Sequence, residues 1–289
     1  MRTLAFIALI LTACASTREA AAPATSARGE WLQVSGGRIY YEVAGRGPAV
    51  VLSHGGFGDR RMWDPQFAVL ARNFRVVRYD HRGFGNSSFP DSAYSPVRDL
   101  VQLLDHLGID KTHLVGNSMG GAFALDFALL QPARVARLVV VGSGANGYPY
   151  TDDEVESVRA VFRTAAQQGV DKGAELWLQH PMVAVSSQQS STRALVRQMV
   201  WDNKRIFELQ HWPSEVIKPA TYDRLTEVRA PVLFIIGDKD TPVVKRTAEM
   251  TAARLPGSQI WHMPGGDHLP HLIDPDAFNA RVIEFLQRD

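Results

Sequence analysis

Cysteine is almost absent from this chain: one residue, Cys14, in 289. That excludes an intramolecular disulfide and any zinc or iron–sulfur centre built on several thiolates. A surplus of one charge is also lacking, since 31 Lys and Arg stand against 30 Asp and Glu. No electrostatic footprint for nucleic acid or for a polybasic membrane contact results. A dinucleotide fingerprint is missing, because Gly83-Phe84-Gly85 lacks the third glycine and opens no helix. His106, His113, His180, His211 and His262 show no metal-ligand spacing, so neither a metal nor another cofactor is expected. What is there is a chain 45% hydrophobic and 21% charged, the composition of a globular protein with a sizeable core.

Residues 1–13 join a basic Arg2 to an apolar stretch that is too short to cross a bilayer of about 30 Å as a helix. A cleaved signal peptide is expected there. Leu11-Thr12-Ala13-Cys14 is similar to a bacterial lipobox, which implies a lipid anchor on Cys14 and a place in the cell envelope. Cleavage at Ala13-Cys14-Ala15 is the alternative, and it yields a soluble periplasmic or secreted protein. Residues 14–30 lack large apolar groups and are expected to form the anchor cysteine and a flexible tether.

From residue 31 apolar runs alternate with helical patterns. Strands are expected at 38–43, 49–52, 76–79, 113–115, 138–141, 232–236 and 259–263. Ser95-Pro96 opens a helix with Val97, Leu100, Val101, Leu104 and Leu107 at helical spacing, and a further helix is expected at 119–130. This alternation predicts an α/β class fold, a mostly parallel central sheet flanked by helices. Residues 145–220 break the rhythm with helical segments near 153–168, 172–178 and 192–209. They are expected to form an inserted helical cap, between core segments 31–144 and 221–289. Trp177, Trp201, Phe207 and Trp212 are expected in the core of that cap.

Three pieces converge on one chemistry. Gly116-Asn117-Ser118-Met119-Gly120-Gly121 lies between an expected strand and helix. A serine hydroxyl is a weak nucleophile unless held out of the backbone beside a base, and a sharp strand-to-helix turn with flanking glycines does this. His54-Gly55-Gly56-Phe57-Gly58 follows strand 49–52. A backbone N–H there, from Gly56 or alternatively Phe57, could join that of Met119 as an oxyanion hole. His54 itself is expected to brace the loop. Asp240 and His268 follow the strands at 232–236 and 259–263, completing the order serine, acid, histidine. Asp267 is a rival acid and His271 a rival base; Asp80 and Arg82 are expected to brace a loop.

These strings, with Asp80-His81-Arg82-Gly83-Phe84-Gly85-Asn86-Ser87 and Met62-Trp63, resemble the α/β-hydrolase superfamily. The resemblance is nearest to capped enzymes such as 3-oxoadipate enol-lactonase and carboxylesterases. It implies a Ser118, Asp240, His268 triad, Asp240 being preferred to Asp238 by the family's G-x-x-D pattern. It also implies hydrolysis of a small ester or lactone through an acyl-enzyme. Asn117 resembles C–C bond hydrolases at that position, but Leu269 replaces the tryptophan common there. C–C cleavage on the same triad is one alternative, and a slow-turnover ligand-binding protein of this fold is another.

Overall fold

The computed structural model describes residues 29–209 and 213–288. The expected signal, Cys14, most of the tether, His211 and Trp212 lie outside the described residues. One sheet contains β1 (Gly29–Val34), β2 (Gly37–Ala44), β3 (Ala49–Ser53), β4 (Arg75–Tyr79), β5 (Thr112–Asn117), β6 (Val135–Val141), β7 (Val232–Gly237) and β8 (Gln259–Met263). Their spatial order is β1-β2-β4-β3-β5-β6-β7-β8. The pairs β1/β2 and β2/β4 are antiparallel, and every pairing from β4/β3 onward is parallel.

Strands β3, β5 and β7 are buried along their whole length. Alternate side chains of a strand point to opposite faces, so continuous apolar runs can serve two cores at once. Val50 and Leu52 face one core with Val115, Val141 and Ile235. Val51 faces the other with Leu114, Val140 and Phe234. Helices α1 (Asp64–Leu70) and, late in the chain, Pro275–Leu286 cover the first face through Phe67, Leu70, Phe278 and Phe285. Helices α2 (Pro96–His106) and α3 (Met119–Leu130) cover the second through Leu100, Leu103, Leu125 and Ala128. Covering both faces is what allows a parallel sheet to be apolar throughout.

Strand β1 corrects the expected start of the core. Gly29 and Glu30, assigned to the tether, instead pair with Glu42 and Tyr41. This edge strand exposes half of its residues, Trp31 among them, and so lacks the apolar alternation by which a strand is read.

Between β6 and β7 lie α4 (Asp152–Gln168), α5 (Val170–Trp177) and α6 (Arg193–Asp202), the helical segment above the serine turn. Helix α4 begins with a capping box in which Thr151 and Glu154 satisfy each other's backbone N–H. The apolar pattern expected to be helical to 209 breaks at Asn203. There the side-chain N–H group donates to Asp59 Oδ2 at 2.9 Å and to Met199 O at 2.8 Å. Asn203 Oδ1 also accepts from Gly85 N–H at 2.7 Å. The helix therefore stops where one amide stitches the cap to two core loops. After β7 come α7 (Pro242–Ala253), then α8 (Pro270–Ile273) and α9 (Pro275–Leu286). No helix among the described residues is long and apolar enough to cross a membrane.

Candidate active site

Parallel strands deliver their carboxyl ends to one rim of the sheet, where crossover loops gather. β5 ends in Asn117, and Ser118 then turns directly into α3. Its φ of 50° and ψ of −119° are strained for a residue with a Cβ. The strain is held by packing that only glycine permits. A Cβ on Gly116 would lie 2.4 Å from Gly120 O, and one on Gly120 would lie 2.4 Å from Ser53 O and 2.5 Å from His54 O. The first turn of α3 is thus pressed onto the end of β3, with Ser118 projecting between them.

The loop after β3 is braced by His54. Its Nδ1 donates to Gly55 O at 2.8 Å, and its Nε2 accepts from His81 N–H at 2.9 Å. Burial pushes its pKa down to about 4, so the ring is neutral and occupied by the loop. Phe57 takes a positive φ of 60°, a conformation costing about 1–3 kcal/mol. Its ring stacks on Phe207 at 4.9 Å and meets Trp177 at 4.2 Å. Aromatic pairs contribute about 0.5–1.5 kcal/mol each beyond burial, enough to offset most of that strain. Trp177 is buried in the core as expected, and it also walls the cavity above Ser118. Phe207 is buried as expected, and Trp201 is partly buried against the same core.

Asp80 and Arg82 brace loops. Asp80 accepts from Arg60 and from Asn86 N–H. Arg82 grips Asp99 through two hydrogen bonds of 2.8 and 2.7 Å.

The expected acid and base meet across 28 residues of sequence. His268 Nδ1 donates to Asp240 Oδ2 at 2.8 Å, and Asp240 Oδ1 accepts from Thr241 N–H at 2.7 Å. Asp238 is exposed beside it. Asp267 is fully buried, but its carboxylate is used elsewhere. It accepts from Ser186 N–H of the cap at 2.8 Å and from Leu269 N–H at 2.9 Å. His271 stacks on Trp63 at 4.4 Å, and neither ring nitrogen has a hydrogen-bond partner. Burial, with help from His268, pushes its pKa down to about 3. Asp267 thus faces Ser186 and Leu269, and His271 faces Trp63, whereas Asp240 and His268 face each other.

Two supports of His268 were not legible beforehand. Its main-chain N–H donates to Met182 O of the cap at 3.1 Å. Its main-chain O accepts from Asn117 Nδ2 at 2.9 Å. Burial acts to lower the His268 pKa, but the charges of Asp240 and Asp267 outweigh it, and the net direction is upward. A base must be neutral to accept a proton, so a raised pKa moves the active range to higher pH. Hydrolysis measured as kcat/KM is expected to climb with pH through a midpoint above 6.5, the ordinary histidine value. Asp267→Asn removes a negative charge and is expected to move that midpoint to lower pH. An unmoved midpoint would show that Asp267 has no electrostatic hold on His268.

Two cavities meet at these residues, one of about 230 Å³ and one of about 480 Å³. Ser118, Met119 and His268 line both, while Gly56 and Phe57 line the first. Among the described residues no cluster of three or more His, Cys, Asp or Glu could hold a metal ion.

Comparison with known proteins agrees with this architecture. The family model for the alpha/beta hydrolase fold matches residues 48–275. RutD of Caulobacter sp. strain K31, provisionally assigned as a carbamate hydrolase, is 30% identical over 86% of this chain and 95% of its own length. The crystal structure of the enol-lactonase from Burkholderia xenovorans LB400 superposes with a TM-score of 0.75 at 25% identity, covering 90% of this chain and all of the other. A thermophilic esterase from Thermogutta terrifontis gives 0.75 at 27% identity, covering 91% of this chain and 98% of the other.

Proposed function

The chain belongs to the α/β hydrolase fold family, and from that premise we propose that it is a serine hydrolase of carboxylic esters or lactones. The observation that carries this reading is the buried 2.8 Å Asp240–His268 pair in the enclosure that holds the strained Ser118. Ser118 Oγ attacks the carbonyl carbon while its proton passes to His268 Nε2. Asp240 holds the ring with Nδ1 protonated and stabilises the imidazolium. The N–H groups of Gly56 and Met119 take the developing oxyanion, and the positive end of α3 favours the same charge. The carbon–oxygen bond to the alcohol then breaks, and the alcohol leaves with the proton from His268. Water, deprotonated by His268, attacks the acyl-enzyme and releases the acid and Ser118.

Cavities of about 230 and 480 Å³ suit a small organic ester better than a molecule as small as carbamate. Asn117, the residue behind the C–C hydrolase alternative, spends its amide N–H group on main-chain carbonyls of His268 and Val141. A fluorophosphonate probe is expected to label wild-type protein at Ser118, with steady turnover on an ester and lactone panel. Labelling without turnover would favour the ligand-binding alternative, and no labelling would overturn the nucleophile assignment.

We further propose that Cys14, outside the described residues, carries lipid and holds the enzyme in the cell envelope. Each buried CH₂ contributes about 0.8 kcal/mol, so several acyl chains anchor far more firmly than one. Intact mass of membrane-extracted protein is expected to show a chain starting at an acylated Cys14. Cys14→Ser is expected to release or misprocess it without changing kcat. A chain starting at Ser16 without acyl mass would instead place cleavage after Ala15.

A further inference from the structure

The two cavities differ in what walls them. The smaller, beneath the cap, is bounded by Phe57, Trp177, Val183, Val196, Met199 and Leu269. The larger opens past Ser143, Asn146, Tyr148, Tyr150 and Thr247, with Tyr150 47% exposed at its mouth. Ser118, Met119, Met182 and His268 belong to both, so a bond held at Ser118 has one substituent in each. No Lys, Arg, Asp or Glu among the described residues lines either cavity.

The order of chemical steps decides which substituent goes where. The acyl group must stay through both steps, whereas the alcohol leaves first and water must then enter. The more apolar cavity beneath the helical segment suits the first requirement, and the other, which carries more hydroxyl and amide groups and is somewhat more open, suits the second. A negative charge on the acyl group would leave water for a space with no Lys or Arg among its walls, and such burial is strongly unfavourable. We infer that the cap cavity selects an uncharged, apolar acyl group, and that the alcohol faces the hydroxyl- and amide-lined cavity. This inference rests on the serine-hydrolase reading above. A cavity of about 150 Å³ can hold benzene, so about 230 Å³ holds a ring with a short linker or a chain of comparable bulk. Met62, Met119, Met182 and Met199 are among its walls. Their unbranched thioethers let the cavity reshape around linear and cyclic groups.

The test pairs two esters of equal length, ethyl hexanoate and the monoethyl ester of adipic acid, which differ by one terminal carboxylate. With the wild-type full chain, kcat/KM for the neutral ester is expected to exceed that for the anionic one by about 100-fold or more. Calorimetric titration of the Ser118→Ala variant with both esters reports binding without hydrolysis, and the same preference is expected in Kd. Equal or better kcat/KM or Kd for the anionic ester would overturn the inference. Should neither ester turn over and no fluorophosphonate label appear, the hydrolase reading fails and the acyl-cavity inference falls with it, whereas labelling with a preference for the anionic ester overturns the acyl-cavity inference alone.

Discussion

Ser118→Ala and His268→Ala are each expected to lower kcat by about 10⁴-fold or more. The reason is geometric. Ser118 alone has no base, and His268 alone has nothing to deprotonate, so each loss removes the same step. The double variant is therefore expected to be little worse than either single one, whereas independent sites would multiply their losses. Asp240→Asn leaves the ring in place but offers an N–H group toward Nδ1, favouring the wrong tautomer, and its loss is expected to be no larger. Steady-state kinetics on a short ester measure all four variants. His271→Ala is the informative contrast. This ring stacks on Trp63 away from the acid, so its removal should lower stability through a cavity more than it lowers kcat. Near-native turnover in His268→Ala with none in His271→Ala would reverse the base assignment.

Gly120→Ala is expected to cost about 10²-fold in kcat, although it adds only one methyl group to a residue that performs no chemistry. The added Cβ would stand 2.4 Å from Ser53 O and 2.5 Å from His54 O. Both are backbone atoms, so no side chain can swing aside. Either the start of α3 lifts or the loop after β3 retreats, and each displaces the Met119 N–H from that of Gly56. Stability should fall as well, by about 1–3 kcal/mol, as for other overpacked sites. The two effects separate if kcat is measured per labelled active site, well below Tm. Gly121→Ala is the graded comparison, since its Cβ would first meet a side-chain atom, Ser143 Cβ, at 2.8 Å. Its loss should be smaller. Full activity in Gly120→Ala would mean that the turn tolerates displacement and that its packing does not set catalysis.

The pattern of apolar runs determined seven of the eight strands without help from tertiary contacts. A run such as Ala49-Val50-Val51-Leu52 can only be buried on both faces, and it proved to be the fully buried β3 between β4 and β5. The serine turn was equally legible, because strand, strained residue and helix follow one another without a gap from Thr112 to Leu130, and Gly116 is needed where its backbone meets that of Gly120. Edge strand β1 was not legible, since exposure removes the alternation that marks a strand. Helix α6 ends at Asp202 because the neighbouring Asn203 side chain finds Asp59 and Gly85, far away in sequence.

The use made of each polar group was likewise decided by the fold. Asp240 and Asp267 are alike in chemistry; the order serine, acid, histidine pointed to Asp240, and resemblance to the family's G-x-x-D pattern preferred it to Asp238. Packing brings Asp240 to His268 Nδ1 and turns the Asp267 carboxylate to Ser186, 81 residues earlier. Local sequence specifies which side chains avoid water, because periodicity alone encodes a face. It does not specify which buried carboxylate finds which donor, because a hydrogen bond depends on positions within a few tenths of an ångström, set by elements distant along the chain.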